Sequence, residues 1–331
     1  MRALRFAGAS LASLRFAPLI LFLLVSCADR FGGWEALSRP TEDQVRNLAS
    51  DGKSLYLATL GDGVYSSSDW GVTWGRLAGT EGMSVHCLAC AVGGLIIGTD
   101  SGVYVWDSGK LSAAGLEGRS IWSLAPGGDG TLAGGVGVVY AQSGSGWEEL
   151  SGLPDVAVTA VLDVEGALYA GTLGEGLWTL LEFAGEEGVS RRWVPVAGTP
   201  EMPLDAAEVT LLRYVPDTGR LYVGTMWGGL YISEDGGFYK LRGLDPEFKY
   251  VSDLVFAGKR LFVTTCGIRA DGLYSADPDG RNWRLWPDSP YPARGALLLP
   301  DGRILVATER EGLFAAYPPE TDRLEPDEGE E

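Results

Sequence analysis

The sequence predicts an all-β fold: seven four-stranded antiparallel blades in a ring, closed by an N-terminal strand that completes the last blade. Three observations carry this. Glycine is abundant, 48 of 331 residues, without the Gly-X-Y period of a rod, so tight turns between short strands account for it. Apolar and polar residues alternate with period two, and no stretch after Cys27 sustains a 3.6-residue period. One strand pattern returns about every 40 residues, the period of a β-propeller blade.

The first copy starts near Val45 and runs through Leu55-Tyr56-Leu57-Ala58-Thr59 to Gly63-Val64-Tyr65. It returns as Val85, Leu95 to Thr99 and Gly102-Val103-Tyr104, and then as Leu132 to Gly135 with Val139-Tyr140. Leu168 to Thr172 with Leu177-Trp178 follows, and after it Leu221 to Thr225 with Leu230-Tyr231. The last two are Leu261 to Thr265 with Leu273-Tyr274, and Ile304 to Thr308 with Leu313-Phe314. Each second segment ends in a small residue, usually followed by Thr, and each third segment sets an aliphatic residue before an aromatic one. Small residues suit sheets converging on an axis, and large ones fill the space where sheets splay apart.

Fourth strands are marked by Trp and then Leu: Trp74 to Leu77, Trp147 to Leu150 and Trp283 to Leu285. The seventh copy lacks one, because Pro318-Pro319 and an acidic tail follow Phe314. Trp34-Glu35-Ala36-Leu37 matches the missing strand, and setting it beside the seventh copy pairs an otherwise open edge. The expected division is a leader over 1–26, a propeller over 27–317 and a solvated acidic tail over 318–331.

In the leader, Arg2, Arg5 and Arg15 precede an apolar run from Ala17 to Val25, too short for the roughly 20 residues of a permanent span. Leu24-Val25-Ser26-Cys27 resembles the lipobox of bacterial lipoproteins, which implies cleavage before Cys27 and acyl chains on its thiol and new amine. Two or three chains anchor stably. The expected location is therefore a bacterial cell membrane or outer membrane, with the body facing periplasm or exterior. Acids outnumber bases 44 to 26, giving a net charge of -18, and the leader carries three arginines and no acid. Such a surface repels anionic head groups and phosphate backbones, so nucleic acid is not an expected partner.

The segment Ser67-Ser68-Asp69-Trp70-Gly71-Val72-Thr73-Trp74 resembles the Asp-box, or BNR repeat, and partial copies stand at Ser233, Asp235, Gly237 and at Ser275, Asp277, Gly280, Trp283. The chain is thus similar to the Asp-box propeller superfamily. That group holds sialidases, sortilin-type receptors, xyloglucan hydrolases and a lipid-anchored photosystem II assembly factor of the Ycf48 type. In the family the box lies on the blade periphery, which implies a structural role for Ser67, Asp69, Gly71, Thr73 and Trp74. The ligand face is then expected at first-strand starts (Arg46, Asn47, His86, Trp122, Asp253, Arg294) and at the loops between second and third strands. Those loops carry Asp62, Asp100, Glu175, Trp227, Arg269, Asp271, Glu309, Arg310 and Glu311.

The sialidase likeness implies an arginine triad, a Tyr nucleophile assisted by Glu, and an acid. The Arg-Ile-Pro signature is missing and no Tyr is fixed by motif, while Arg46, Arg269, Arg294 and Arg310 remain for a triad and Glu175 or Asp271 for the acid. No catalytic residue is assigned. The leading expectation is a binding, scaffold or assembly-factor protein; the alternative is a carbohydrate-binding or sialidase-like glycoside hydrolase lipoprotein. A protein or a glycan is expected on the funnel face. His86, the sole histidine, precedes Cys87 and Cys90. Strand residues three apart lie about 10 Å apart on opposite faces, which disfavours a shared disulfide or metal. With Cys266 they read as small buried hydrophobes, and no metal or cofactor is expected. Trp122 and Trp227 suit a sugar or protein partner as well as plain funnel packing.

Overall fold

The alternation becomes 28 strands in a computed structural model that describes residues 33–127, 130–144, 146–185, 188–198, 204, 207–244, 250–266 and 272–319. Cys27, Arg269, Asp271 and the tail beyond residue 319 lie outside the described residues. The strands form seven four-stranded antiparallel sheets, blades 1 to 7 of a β-propeller. Their first strands are Val45–Ser50, Val85–Ala91, Ser123–Gly127, Val158–Val164, Val209–Val215, Tyr250–Ala257 and Ala293–Leu298. These line the axis, each touching the first strands of its neighbours, and the seventh touches the first.

The seventh blade is completed by Glu35–Ala36, which pairs with Leu313–Ala316 in the register Glu35 to Ala315 and Ala36 to Phe314. One further bond, Leu37 N–H to the Leu313 carbonyl at 2.8 Å, extends the ladder. Trp34 is buried against Trp286 and Phe314 in the seam between blades 6 and 7. Across the last blade the Arg303 guanidinium pairs with Glu35 at 2.5 Å.

The apolar core divides into seven clusters, one at each seam between adjacent blades. This explains the aliphatic-aromatic dipeptide. Neighbours on a strand point to opposite faces, so Val64 packs toward blade 2 while Tyr65 packs toward blade 7. Val139 and Tyr140, or Leu230 and Tyr231, divide in the same sense, aliphatic to the following blade and aromatic to the preceding one.

The small residue before each Thr has a packing cause. A Cβ on Gly98 would lie 2.4 Å from Cys87 Sγ, and one on Gly171 would lie 2.3 Å from Val209 of the next blade. The Thr itself is a turn lock: Thr59, Thr99, Thr172, Thr225, Thr265 and Thr308 each donate a hydroxyl to the carbonyl of the glycine opening the third strand, at 2.7–2.9 Å. All six are buried. Blade 3 has Gly135 there and no such bond. Outer-strand tryptophans tie a blade to the one before it, as when Trp147 Nε1 donates to the Ala114 carbonyl at 2.8 Å and Trp193 Nε1 to that of Leu150 at 2.9 Å.

Candidate functional site

Six first strands carry a β-bulge near their start, and the extra residues are Arg46, His86, Thr159, Thr210, Ser252 and Arg294. In blade 3 Trp122 holds the same repeat position, its N–H bonded to the Gly134 carbonyl at 2.8 Å. A bulge frees a side chain from sheet alternation and re-aims it. Seven such side chains therefore ring one mouth of the axial channel.

The ring has two halves. In blades 4, 5 and 6 the hydroxyls of Thr159, Thr210 and Ser252 donate to the carbonyls of Val209, Val251 and Ala293 in the next blade, at 2.5, 2.6 and 2.7 Å. These are staples between blades. In blades 7, 1, 2 and 3, consecutive around the ring, the positions hold Arg294, Arg46, His86 and Trp122, and none of these side chains donates to a backbone carbonyl of a neighbouring first strand among the described contacts; Arg294 reaches only the Tyr250 hydroxyl of blade 6, at 3.5 Å. There the blade-to-blade bonds fall on the following residue, where Ser123 Oγ donates to the Val158 carbonyl at 2.7 Å and Asn47 Oδ1 accepts from Leu88 N–H at 3.2 Å.

His86 and Arg294 use one device. Each meets an acid at the same repeat position in its own blade, just after the Thr lock. His86 Nε2 lies 2.5 Å from Asp100 Oδ1, and Arg294 lies 3.0 Å from Glu309 Oε2. The His86 bond, with help from the Arg46 charge, holds the Asp100 carboxyl below its ordinary value. The imidazole is only 6 % exposed and stacks on Trp122 with centroids 4.4 Å apart. Glu309 also accepts from Gln44 Nε2 at 2.6 Å, and Arg294 sits over Tyr250 at 5.7 Å from the ring centre. Burial pushes the Tyr250 phenol up, opposed by the Arg294 and Arg46 charges.

Arg46 stands between these pairs with Leu60, not an acid, at the matching rim position. It is half-buried and makes no ion pair or side-chain hydrogen bond among the described residues. His86 Nδ1, Trp122 Nε1 and Arg294 Nε are also buried without a hydrogen-bond partner there.

The structure thus brings together Arg46, His86, Trp122, Arg294 and Glu309 of the expected face. Glu175 and Trp227 stand on exposed loops, and Arg310 is exposed 4.0 Å from Glu309. Asp253 serves packing instead, accepting from Ala296 N–H of blade 7 at 3.1 Å and from Arg213 at 3.2 Å. Asp62 closes its own loop, accepting from Tyr65, Thr41 and Arg76 at 2.5, 2.8 and 2.8 Å. Sequence reasoning missed Thr159, Thr210, Ser252, Gln44 and Tyr250. Superposing the copies at the residue after the buried Val near each first-strand start (Val158, Val209, Val251) finds the three hydroxyls.

The Ser67 to Trp74 hairpin is self-contained and lies on the outer strands. Asp69 accepts from the Ser67 hydroxyl at 2.8 Å, from Thr73 N–H at 2.8 Å and from the Thr73 hydroxyl at 2.5 Å. These bonds, the Thr73 hydroxyl foremost, hold its carboxyl down to about 2. A cleft of about 910 Å³ lies at the opposite ends of blades 1 to 3, between Asp51, Cys90, Val92 and Pro126. Its carboxylate, Asp51, is occupied by two backbone amides and Tyr56.

Fold and mouth together define a seven-bladed β-propeller with, at one end of its channel, a one-sided set of polar and aromatic side chains that do not staple the neighbouring backbone. No family model and no curated protein matches the sequence. Among solved structures the chain is similar to the BT4673 extracellular domain from B. thetaiotaomicron, with TM-score 0.67 and 15 % identity over 86 % of this chain. It spans only 40 % of that longer chain. It is also similar to YCF48 bound to D1 peptide, TM-score 0.64 and 16 % identity over 89 % of this chain and 98 % of that one. YCF48 from Cyanidioschyzon merolae gives 0.61 and 17 % over 87 % and 99 %. At such identities the likeness is one of fold.

Proposed function

We propose that this chain is a lipid-anchored, extracytoplasmic Asp-box propeller that holds another protein at the mouth of its ring, as a scaffold or assembly factor, and acts by binding rather than by catalysis. One observation carries the reading: the bulge side chains of blades 4 to 6 staple the backbone of the next blade, while those at the same position in blades 7, 1, 2 and 3 donate to no neighbouring backbone among the described contacts. A rigid frame with unspent polar and aromatic groups along one arc suits recognition. The similar fold that carries a bound D1 peptide, and the one that is an extracellular domain, support it. Leu24-Val25-Ser26-Cys27 supports the anchor.

The test is photo-crosslinking in cells from position 227, beside the mouth, against position 92 at the opposite end. One stoichiometric protein adduct from 227 and none from 92 is expected; equal capture from both, or none, contradicts the reading. For the anchor, Cys27→Ala is expected to release the protein or leave an uncleaved precursor.

A second reading, glycan binding or glycoside cleavage, is favoured by the grouping of Tyr250, Arg294 and Glu309. Against it, burial raises the phenol, and Glu309 is already held by Arg294 and Gln44. Turnover of fluorogenic glycosides that Glu309→Gln or Glu175→Gln abolishes would favour it.

A further inference from the structure

We propose that Arg46 is the anchor point of the mouth and takes a carboxylate side chain from an acidic peptide segment of the partner; this rests on the binding reading above. The chain has 44 acids and 26 bases. A half-buried arginine left without a carboxylate is therefore not short of supply. On either side the same two repeat positions supply base and acid together, His86 with Asp100 and Arg294 with Glu309. In blade 1 the acid position is Leu60, so the repeat itself leaves this one cation open.

The neighbours are fixed by those pairs. Glu309 is engaged by Arg294 and Gln44, and Asp100 by His86, so neither swings to neutralise Arg46. Arg46 nevertheless lies close enough for its charge to act on Asp100 in blade 2 and on Tyr250 in blade 6. A guanidinium held among committed groups is set for a forked, charge-assisted pair with an incoming carboxylate. His86 Nδ1, on a side chain more than nine-tenths buried, and Trp122 Nε1 are unpartnered polar atoms in the same arc.

Among the described residues, the arginines form no three-arginine clamp for an acidic sugar. Arg294 is already paired, and Arg310 is exposed beside Glu309. The aromatic plate of the arc, Trp122, has one face covered by His86. The rim instead presents Leu60, Val136, Leu173 and Trp227 as exposed apolar groups, suited to the apolar neighbours of an acidic residue in a peptide.

The experiment is ¹⁹F NMR on protein carrying 5-fluorotryptophan, with the Trp122 resonance identified by Trp122→Phe. The probes are N-acetyl-glutamate amide, its neutral counterpart N-acetyl-glutamine amide, and glucuronate. The Trp122 signal is expected to shift saturably with the glutamate probe and not with the glutamine one. Arg46→Gln is expected to weaken the response about tenfold or more, and Arg46→Lys to restore part of it, at unchanged melting temperature. No saturable shift, equal response to glutamine, or full retention in Arg46→Gln overturns the proposal. Glucuronate binding tenfold tighter than the glutamate probe overturns it in favour of an acidic glycan. If these fail while the adduct from position 227 persists, only the Arg46 assignment falls; if that adduct is also lost, the binding reading falls with it.

Discussion

Trp34 and Trp286 bring their rings to 4.6 Å, joining the start of the described chain to the sixth blade across the seam between blades 6 and 7. The contact does what the Glu35–Ala36 ladder, only two residues long, does not do alone. Trp34→Ala is expected to lower stability by about 3–5 kcal/mol, as for other buried aromatics cut to alanine, read by denaturant unfolding. Glu35→Gln, which breaks the partly exposed pair with Arg303, is expected to cost about 1 kcal/mol or less.

The Thr locks make a second prediction. In Thr225→Val the Gly229 carbonyl loses a hydroxyl donor at 2.8 Å in a fully buried turn. The carbonyl keeps the Thr225 amide at 3.0 Å, so the expected loss is about 0.5–1.5 kcal/mol, seen as a lower melting temperature.

Asp69 makes a prediction in acid. Its folded-state carboxyl is depressed from 3.8 to about 2, so its bonds to Thr73 and Ser67 are complete above the ordinary carboxylate range and are lost as pH falls through about 2. The Thr73 amide proton shift is expected to titrate with a midpoint near 2; a midpoint near 4 would contradict the hydrogen-bond set.

The internal thiols predict slow chemistry. Burial pushes Cys87 up, and pushes Cys90 up to about 11, far from the thiolate range at neutral pH. Iodoacetamide at pH 8 is expected to label both much more slowly in native protein than in urea, by peptide mass spectrometry. Equal rates would mean that the second blade opens.

Much of the ring was legible because its rules are local and repeat. Val64-Tyr65 and its counterparts announce two opposite faces, and Trp34 to Leu37 announces the strand that the seventh copy lacks. What the repeat does not announce is the use of one position by different chemistry. Thr159 and Arg46 hold the same place in the ring, yet one hydroxyl is short enough to staple the next blade and the long guanidinium is not. Likewise Asp62 and Asp253 read as face residues by position, while Tyr65 and the Ala296 amide consume them inside the frame. Tyr250 and Gln44 carry no motif, because their roles arise only when blades 6, 7 and 1 meet around Glu309 and Arg294.

The central claim is the division of the bulge ring into a half that staples the next blade's backbone and a half that does not, and paired melting curves test it most directly. Thr159→Val, Thr210→Val and Ser252→Ala are each expected to cost about 1–3 kcal/mol, or several degrees at about 2–4 °C per kcal/mol. Arg46→Gln is expected to melt within about a degree of the parent, since no described side chain ion-pairs or hydrogen-bonds with it. Arg46→Gln melting as low as the hydroxyl variants would contradict the account.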